Sequence, residues 1–148
     1  MKALLQRVSS ASVRVEDELL GSIQKGLVVL LGIESRDNDF DIEYIVSKSL
    51  NLRIFDDDSG KFNYSLLDVE GEILLISQFT LCSDTKKGRR PSFINAAPPV
   101  EAKDLFARSL EVFKNSGIVV ETGRFQSHMS VEINNDGPVT LMLDSKDR

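Results

Sequence analysis

Apolar residues along the first third of the chain recur at the spacing of β-strands. The alternation of apolar and polar positions predicts strands at residues 3–8, 13–15 and 20–23. A continuous apolar run then predicts a buried strand at residues 27–33. We therefore expect this part of the chain to form a sheet.

The period then changes to that of an α-helix. Apolar positions 42, 45, 46 and 50 share one face of a predicted helix that Asp39 can cap. A second predicted helix opens at Pro98-Pro99, with Glu101 in its first turn, and ends with Gly117 as the residue just beyond it. Its apolar face consists of Ala102, Leu105, Phe106, Leu110 and Phe113.

The remaining apolar segments complete the sheet. Residues 52–55 and the turn at 56–60 predict a hairpin, and residues 72–79 predict a strongly apolar central strand. Further strands are expected at 119–124, 129–134 and 139–144. About eight strands and two helices, without regular alternation, predict one α+β domain over residues 1–148, with a barrel-like, mostly antiparallel sheet and the helices outside.

Composition and charge restrict the possible functions. The 148 residues are enough for one core that buries roughly two thirds of the unfolded surface. Cys82 and His128 are each the only residue of their type, so an internal disulfide, a Cys-rich metal site and a pair of His ligands are excluded. No metal or other cofactor is expected. The first residues become charged before a signal-like apolar stretch forms, which favours a cytoplasmic protein without a membrane partner.

One basic segment opposes the overall charge of −5, which by itself is a poor field for attracting nucleic acid. The segment surrounds Gly88 and contains Lys86, Lys87, Arg89 and Arg90. Such a segment is either an ordinary solvated loop or a contact for the phosphates of a nucleic acid. Its position just after the polar residues that begin at Ser77 favours a functional role.

Two short motifs carry most of the functional information. Ser-Gln-Phe-Thr-Leu at residues 77–81 closes an apolar run, so its polar groups must find partners at the edge of the sheet. Asn-Asp-Gly-Pro-Val-Thr at residues 135–140 lies between two apolar runs, where Pro138 has no N–H to donate and must interrupt the ladder. Taken alone, Gly137-Pro138 is also compatible with a plain hairpin turn.

Common catalytic and binding constellations have little support. His128 is free to pair with Ser77 or another serine, but no Gly-x-Ser-x-Gly elbow accompanies them. No glycine-rich loop of the P-loop or Rossmann type follows a predicted strand. Residues 56–58 are acidic like a calcium loop, but they lack its ligand spacing and its terminal glutamate.

The two motifs, together with five shorter segments, resemble the D-aminoacyl-tRNA deacylases. The resemblance runs in order from residue 1 to about residue 144 without large gaps, so it covers nearly the whole chain. Residues 126–128, Gln-Ser-His, depart from the small residues and the acid usual in that family, and this departure affects the predicted pocket rim. The shorter segments are Gln6-Arg7-Val8, Arg53-Ile54-Phe55, Gly60-Lys61, Arg90-Pro91-Ser92-Phe93 and Thr122-Gly123-Arg124-Phe125.

The resemblance implies a cytoplasmic homodimer that hydrolyses the ester between a D-amino acid and the terminal adenosine of tRNA. Glycine mischarged on the tRNA for alanine is a second implied substrate. In the family a cis peptide, here between Gly137 and Pro138, is presented by one subunit into its partner's pocket. There it leaves no room for the side chain of an L-amino acid, while glycine, without a β-carbon, escapes this exclusion. Met129 corresponds to a residue of the pocket wall.

The chemistry is open between two mechanisms. In one, the backbone of Phe79 and Thr80 and the side chain of Gln78 orient the ester, Ser77 supports the loop, and a ribose hydroxyl of the tRNA helps to deliver water. In the other, Thr80 attacks the ester, although no base lies near it in the sequence. Two further functions are a non-catalytic dimeric module that binds aminoacylated or nucleotide ligands, and a hydrolase of unrelated small esters.

Overall fold

The architecture is a curled, mixed sheet with two helices packed on one face, seen in a computed structural model that describes residues 1–148. Two 3-10 turns, at Phe79–Cys82 and Ser145–Asp147, lie between or after the regular elements. No helix is both long enough and apolar enough to cross a membrane. The elements are β1 (Lys2–Val15), β2 (Glu18–Ile23), β3 (Gly26–Gly32), α1 (Asp39–Asn51), β4 (Phe55–Asp56), β5 (Phe62–Tyr64), β6 (Glu72–Ser77), α2 (Pro99–Lys114), β7 (Val120–Thr122) and β8 (Ser130–Asp144).

The long strand β1 organises the sheet. One edge of β1 pairs antiparallel with β3 and then with β2, and its other edge pairs antiparallel with β8 along almost its whole length. Beyond β3 the order continues with β6 and β7, and both of these pairings are parallel. The outer strands approach each other, since Arg124, just after β7, forms a 3.0 Å ion pair with Glu18 of β2. The predicted barrel-like α+β fold, mostly antiparallel, is confirmed, with two parallel pairings that the apolar pattern did not distinguish.

The central strands are buried on both faces, which explains their unbroken apolar sequences. In β3, Leu27, Val29 and Leu31 pack in a core of 20 buried residues that the helices cover. Val28 faces the other way, into a core of seven buried residues within the curl of the sheet. A strand covered on both faces reads as a continuous apolar run because neither set of alternate positions contacts water.

The N-cap of the first helix lies one residue before the predicted cap. Asn38 is the N-cap: its side-chain oxygen accepts a hydrogen bond from the Phe40 N–H, at 3.0 Å. The Asp41 carboxylate accepts a bond from the Asn38 N–H at 2.8 Å, which completes a capping box. The prediction of Asp39 as the cap is therefore wrong. Asp39 lies in the first turn and forms an ion pair with Arg108 of α2.

Two pairs of predicted strands are single strands in the structure. Residues 3–8 and 13–15 both belong to β1. Apart from Met129, which precedes the strand, residues 129–134 and 139–144 both belong to β8, whose ladder is interrupted between them. The intervening Ser9, Ser10 and Ser12 have weak intrinsic strand preference, so pairing with β8 decides their conformation. The predicted hairpin at 52–60 is present as β4 and β5, and α2 starts at Pro99 as predicted.

Candidate active site

A pocket of about 600 Å³ lies at the carboxyl ends of the three parallel strands. Such an edge is a common ligand site, because the chain leaves the sheet there in loops whose polar groups are not used by the ladder. Ten of the sixteen lining residues are hydrophobic. The lining residues are Leu31, Ile33, Ile76, Ser77, Gln78, Phe79, Ala96, Ala97, Pro99, Ala102, Phe125, Gln126, Ser127, His128, Met129 and Val131.

Ser77, Gln78 and Phe79 form the wall that continues β6. Ser77 is opposite Leu31 in the parallel register, and the Gln78 N–H donates to the Leu31 carbonyl at 2.8 Å. The chain then turns into the 3-10 turn, directly over Gly32. A β-carbon on Gly32 would lie 2.9 Å from Cβ of Leu81 and 3.1 Å from Sγ of Cys82, so a glycine is required for this close packing.

The first two N–H groups of this 3-10 turn are free. In a helical turn the leading N–H groups have no intrahelical acceptor, and those of Phe79 and Thr80 find no carbonyl or side-chain acceptor elsewhere in the chain. Two adjacent free donors beside an apolar pocket are suited to stabilise an oxyanion. Phe79 lines the pocket, and Thr80 follows it in the chain, just outside the lining.

Thr80 is placed less favourably for attack on a substrate. Its side-chain oxygen accepts a hydrogen bond from the Gln78 amide, and the residue is exposed and absent from the pocket lining. An amide cannot take up the hydroxyl proton, and no imidazole or carboxylate contacts Thr80. The geometry therefore favours a role for Thr80 through its backbone over a role as nucleophile.

The opposite wall is formed by residues 125–129, which follow β7. The Phe125 ring packs on Phe106 of α2, with 5.8 Å between the ring centroids. A β-carbon on Gly123 would lie only 2.4 Å from Sδ of Met129, so Gly123 leaves the space that the Met129 thioether occupies. Met129 thus lies at the pocket, where the family resemblance implied it.

The divergent segment 126–128 also lies at this wall. Gln126 has a φ of +61°, a conformation that a side chain with a β-carbon seldom adopts. His128 is exposed at the rim and forms no hydrogen bond to a serine or a carboxylate, so the chain contains no assembled Ser-His-Asp triad. The segment can contact a ligand at the rim without contributing a nucleophile.

A third wall, at Ala96 and Ala97, is hydrogen-bonded to the end of β3. The Ala97 N–H donates to the Ile33 carbonyl at 3.0 Å, and the Ser35 N–H donates to the Asn95 carbonyl at 2.9 Å. Behind this wall is a charged cluster in which buried Glu34 pairs with Lys2 and Lys146. These bonds fix the alanine wall to the sheet.

Two buried aspartates in this cluster differ in pKa. Burial raises the pKa of Asp37, although its carboxylate lies 2.7 Å from the N-terminal ammonium. Asp41 also loses solvation, but hydrogen bonds from Ser145 and Asn38 and the nearby charge of Arg148 outweigh that loss and lower its pKa. The hydrogen bond to Glu34 raises the pKa of Lys146 in the same way, by favouring the charged form.

The predicted basic segment is the tip of a small hairpin that follows the 3-10 turn. Asp84 and Ser92 exchange two backbone hydrogen bonds, of 2.7 and 2.9 Å, and close its base. All four cations at its tip are exposed, and none of them pairs with a carboxylate. We refer to residues 84–92 as the basic hairpin.

Gly137 and Pro138 lie away from this pocket. Their peptide bond is cis, and both residues are exposed on a bulge of β8, where the register jumps from Thr140 opposite Gln6 to Asn135 opposite Val8. Neither residue lines the pocket of its own chain. The predicted interruption of the ladder is confirmed, and the turn projects from the sheet.

Arg7 holds this turn on β1. Its guanidinium donates to the Ile54 carbonyl at 2.7 Å and to the Asp136 carbonyl at 3.3 Å, and it forms ion pairs with the carboxylates of Asp56 and Asp136. The residue is only 5% exposed, with its guanidinium over the ring of Phe62. Sequence reasoning gave Arg7 no separate role, although its charge at an inward position, after Ala3 and Leu5, was a signal for a paired, buried cation.

Known proteins with similar sequences belong to one named family. Residues 4–144 match the family model for D-Tyr-tRNA(Tyr) deacylase. Proteins named D-aminoacyl-tRNA deacylase are 54% identical in Thermosipho africanus, over 99% of this chain and 98% of that protein, and 56% identical in Clostridium botulinum, over 98% and 97%.

Solved structures give the same fold. One titled c-Myc DNA Unwinding Element Binding Protein has a TM-score of 0.92 and 42% identity, over 97% of this chain and 98% of that one. One of a probable eukaryotic D-amino acid tRNA deacylase has a TM-score of 0.77 at 19% identity, over 96% and 97%. At that identity the second likeness shows the fold alone.

Proposed function

This chain belongs to the D-Tyr-tRNA(Tyr) deacylase family and hydrolyses D-aminoacyl-tRNA, and from that premise we propose how its residues perform the reaction and reject L-aminoacyl esters. The observation that carries the proposal is an apolar pocket lined by Ser77, Gln78 and Phe79, with the free N–H groups of Phe79 and Thr80 in the turn at its edge. The reaction releases a free amino acid and tRNA.

Hydrolysis proceeds with assistance from the substrate. Water adds to the ester carbonyl, the N–H groups of Phe79 and Thr80 stabilise the resulting oxyanion, and the ribose oxygen then leaves. A neighbouring ribose hydroxyl helps to deliver the water and to return a proton to the leaving oxygen. Gln78 orients the ester and Ser77 supports the loop. The absence of a base beside Thr80 supports this route over attack by its hydroxyl.

Chirality is selected by a homodimer in which the Gly137-Pro138 turn of one subunit enters the pocket of the other. The turn is exposed, is held by buried Arg7 and does not line the pocket of its own chain, all of which supports action in trans. Backbone carbonyls of the turn receive the α-ammonium of the substrate and exclude an L side chain. Glycyl-tRNA, including glycine mischarged on the tRNA for alanine, passes this filter because it has no β-carbon.

The basic hairpin contacts phosphates of the tRNA. Its four unpaired cations stand out in a chain with a net charge of −5, so they form a local attractive field beside the pocket. The protein acts in the cytoplasm, where aminoacyl-tRNA is used.

The test is the deacylation of matched D-tyrosyl-tRNA and L-tyrosyl-tRNA by the purified protein and by Gly137→Ala. We expect the wild type to remove the D ester alone and rapidly. The variant should remove the D ester far more slowly and discriminate less well, because a β-carbon at this φ of +121° would lie 2.8 Å from Cγ2 of Val139. Gly117→Ala is the matched control, since Gly117 also has a positive φ but its β-carbon would meet nothing within 4 Å. Retention of both esters by the wild-type protein would instead support a non-catalytic binding module.

A further inference from the structure

An aromatic pair lies at the outer edge of the pocket. The rings of Phe79 and Phe93 meet edge to face, with 4.9 Å between centroids and 62° between planes. Phe79 is 58% exposed, although it is apolar and lies beside a pocket. An apolar surface of this kind gains free energy when a flat ligand covers it.

The pair connects the pocket to the basic hairpin. Phe79 lines the pocket, whereas Phe93 does not and lies one step further out. Phe93 directly follows Ser92, which closes the base of the basic hairpin with Asp84. The aromatic pair therefore joins the pocket lining, through Phe79, to the base of the basic hairpin, through Phe93.

We propose that Phe79 and Phe93 form a stacking platform for the base of the unpaired nucleotide that immediately precedes the terminal adenosine of the tRNA. The proposal rests on the proposed function, in which the pocket receives the aminoacyl ester. An apolar pocket of about 600 Å³ has the size of sites that enclose a single small ligand, so the next nucleotide lies outside it. Phe93 lies outside the pocket lining and contacts the exposed lining residue Phe79.

The chemistry of this surface matches unpaired nucleic acid. Proteins that bind single strands combine aromatic side chains, on which bases stack, with cations that follow the phosphates. Four residue steps lead from Gly88 to Ser92, so the tip of the hairpin lies at most about 13 Å from its base. Its four cations are free to contact the backbone of the same strand while a base covers the rings.

The experiment compares two substrates with Phe93→Leu and Phe93→Tyr. One substrate is D-tyrosyl-tRNA and the other is D-tyrosyl-adenosine, which keeps the terminal nucleoside but lacks the upstream nucleotide. We expect Phe93→Leu to raise the KM for the tRNA substrate at least about fivefold, with little change in kcat, because leucine keeps the apolar volume but offers no ring for stacking. Phe93→Tyr should retain the wild-type KM.

The minimal substrate separates stacking from pocket shape. Phe93→Leu should leave deacylation of D-tyrosyl-adenosine unchanged, and an equal loss with both substrates would overturn the proposal, since Phe93 would then act only on the pocket. An unchanged KM for the tRNA substrate would also overturn it. If gel filtration instead shows that Phe93→Leu alters the oligomeric state, the aromatic pair is a contact between subunits and the proposal is wrong.

A second variant distinguishes the platform from the cations. Lys86→Glu with Lys87→Glu should raise KM for the tRNA substrate and flatten its dependence on salt, whereas Phe93→Leu should raise KM at every salt concentration without changing that slope. A flattened slope in Phe93→Leu would contradict stacking. Failure of the proposed function would be seen separately, as a wild-type protein that does not discriminate D-tyrosyl-tRNA from L-tyrosyl-tRNA.

Discussion

The pocket and the Gly137-Pro138 turn differ in nearly every physical respect. The pocket is concave and mostly apolar, and it lies where β6 ends beside Leu31. The turn is exposed and held by a buried cation, Arg7, which is opposite Leu27 near the start of β3. Four residue steps of β3, about 13 Å, separate these two positions. A convex turn and a concave pocket, kept apart within one chain, fit the proposed homodimer, in which symmetry would bring the turn of one subunit to the pocket of the other.

The strongest test of this comparison mixes two defective variants. Ala102→Trp fills the apolar pocket, and Gly137→Ala distorts the turn. Each variant alone should lower the rate of D-tyrosyl-tRNA deacylation at least about 100-fold, because small displacements in a site have large effects on rate. Random pairing of equal amounts should restore about a quarter of wild-type activity, since half of the dimers are mixed and each has one intact site of two. Deacylation of D-tyrosyl-tRNA measures the recovery.

The control for this experiment is a mixture of each variant with itself after the same treatment. A mixture that stays as inactive as its components would show that pocket and turn act within one chain. Recovery to more than half of the wild-type activity would show that one of the variants is not defective in the way assumed.

Arg7 provides the next test of the comparison, because it holds the turn and does not line the pocket. Arg7→Met removes a buried guanidinium that makes two carbonyl contacts and two ion pairs. Since Asp56 and Asp136 are partly exposed and regain water, we expect the free energy of unfolding to fall by about 2 kcal/mol, below the range for fully buried pairs. Discrimination against L-tyrosyl-tRNA should weaken as well. Urea unfolding and paired deacylation assays measure these effects.

Arg14→Met is the matched control for Arg7. Arg14 is on the same strand but is exposed, and its only side-chain bond goes to the Asp17 carbonyl at 3.3 Å. It should leave both stability and discrimination close to wild type. Equal effects of the two substitutions would contradict a specific role of Arg7 in holding the turn.

The sequence predicted the turn better than the surroundings of the pocket. A proline has no N–H and must interrupt the hydrogen-bond ladder, so the residue type at position 138 was enough to predict the break in strand pairing. Local pattern could not reveal that β3, β6 and β7 run parallel, because parallel and antiparallel central strands both read as apolar runs. The pocket follows from that parallel arrangement.

Local backbone geometry and long-range contacts account for the features that the sequence did not predict. The cap at Asn38 differs by one residue from the predicted cap at Asp39, since both side chains are suitable and only the backbone geometry separates them. The contact between Gly123 and Met129, and the pairing of Phe79 with Phe93, join residues from separate loops. No periodicity within one segment contains that information.

A substitution at Gly123 tests the pocket while leaving the turn unchanged. Its missing β-carbon leaves room for Sδ of Met129, which would be only 2.4 Å away. Gly123→Ala should move the flexible Met129 side chain into the pocket and lower kcat/KM for D-tyrosyl-tRNA about tenfold, with a smaller loss for D-alanyl-tRNA. Discrimination against L esters should persist, because the turn is untouched. Adding Met129→Ala should restore activity with D-tyrosyl-tRNA, and a double variant as impaired as Gly123→Ala would refute this account.

The smallest expected effect concerns Cys82, the buried last residue of the 3-10 turn. Burial raises the pKa of its thiol to about 11, from an ordinary value of 9.0. Between pH 9 and pH 10 the thiol therefore loses its proton in the unfolded state and keeps it in the folded state. Because the folded state then binds more protons, the free energy of unfolding falls as pH rises. Urea unfolding should show a steeper loss of free energy over this range in the wild type than in Cys82→Ala. Because the side chain is 1% exposed, the variant also leaves a small cavity and should be less stable at pH 7, but with a flatter pH profile. Parallel profiles would mean that the thiol ionises equally in the folded and unfolded states. The 3-10 turn would then be more open to water than its packing against Gly32 indicates.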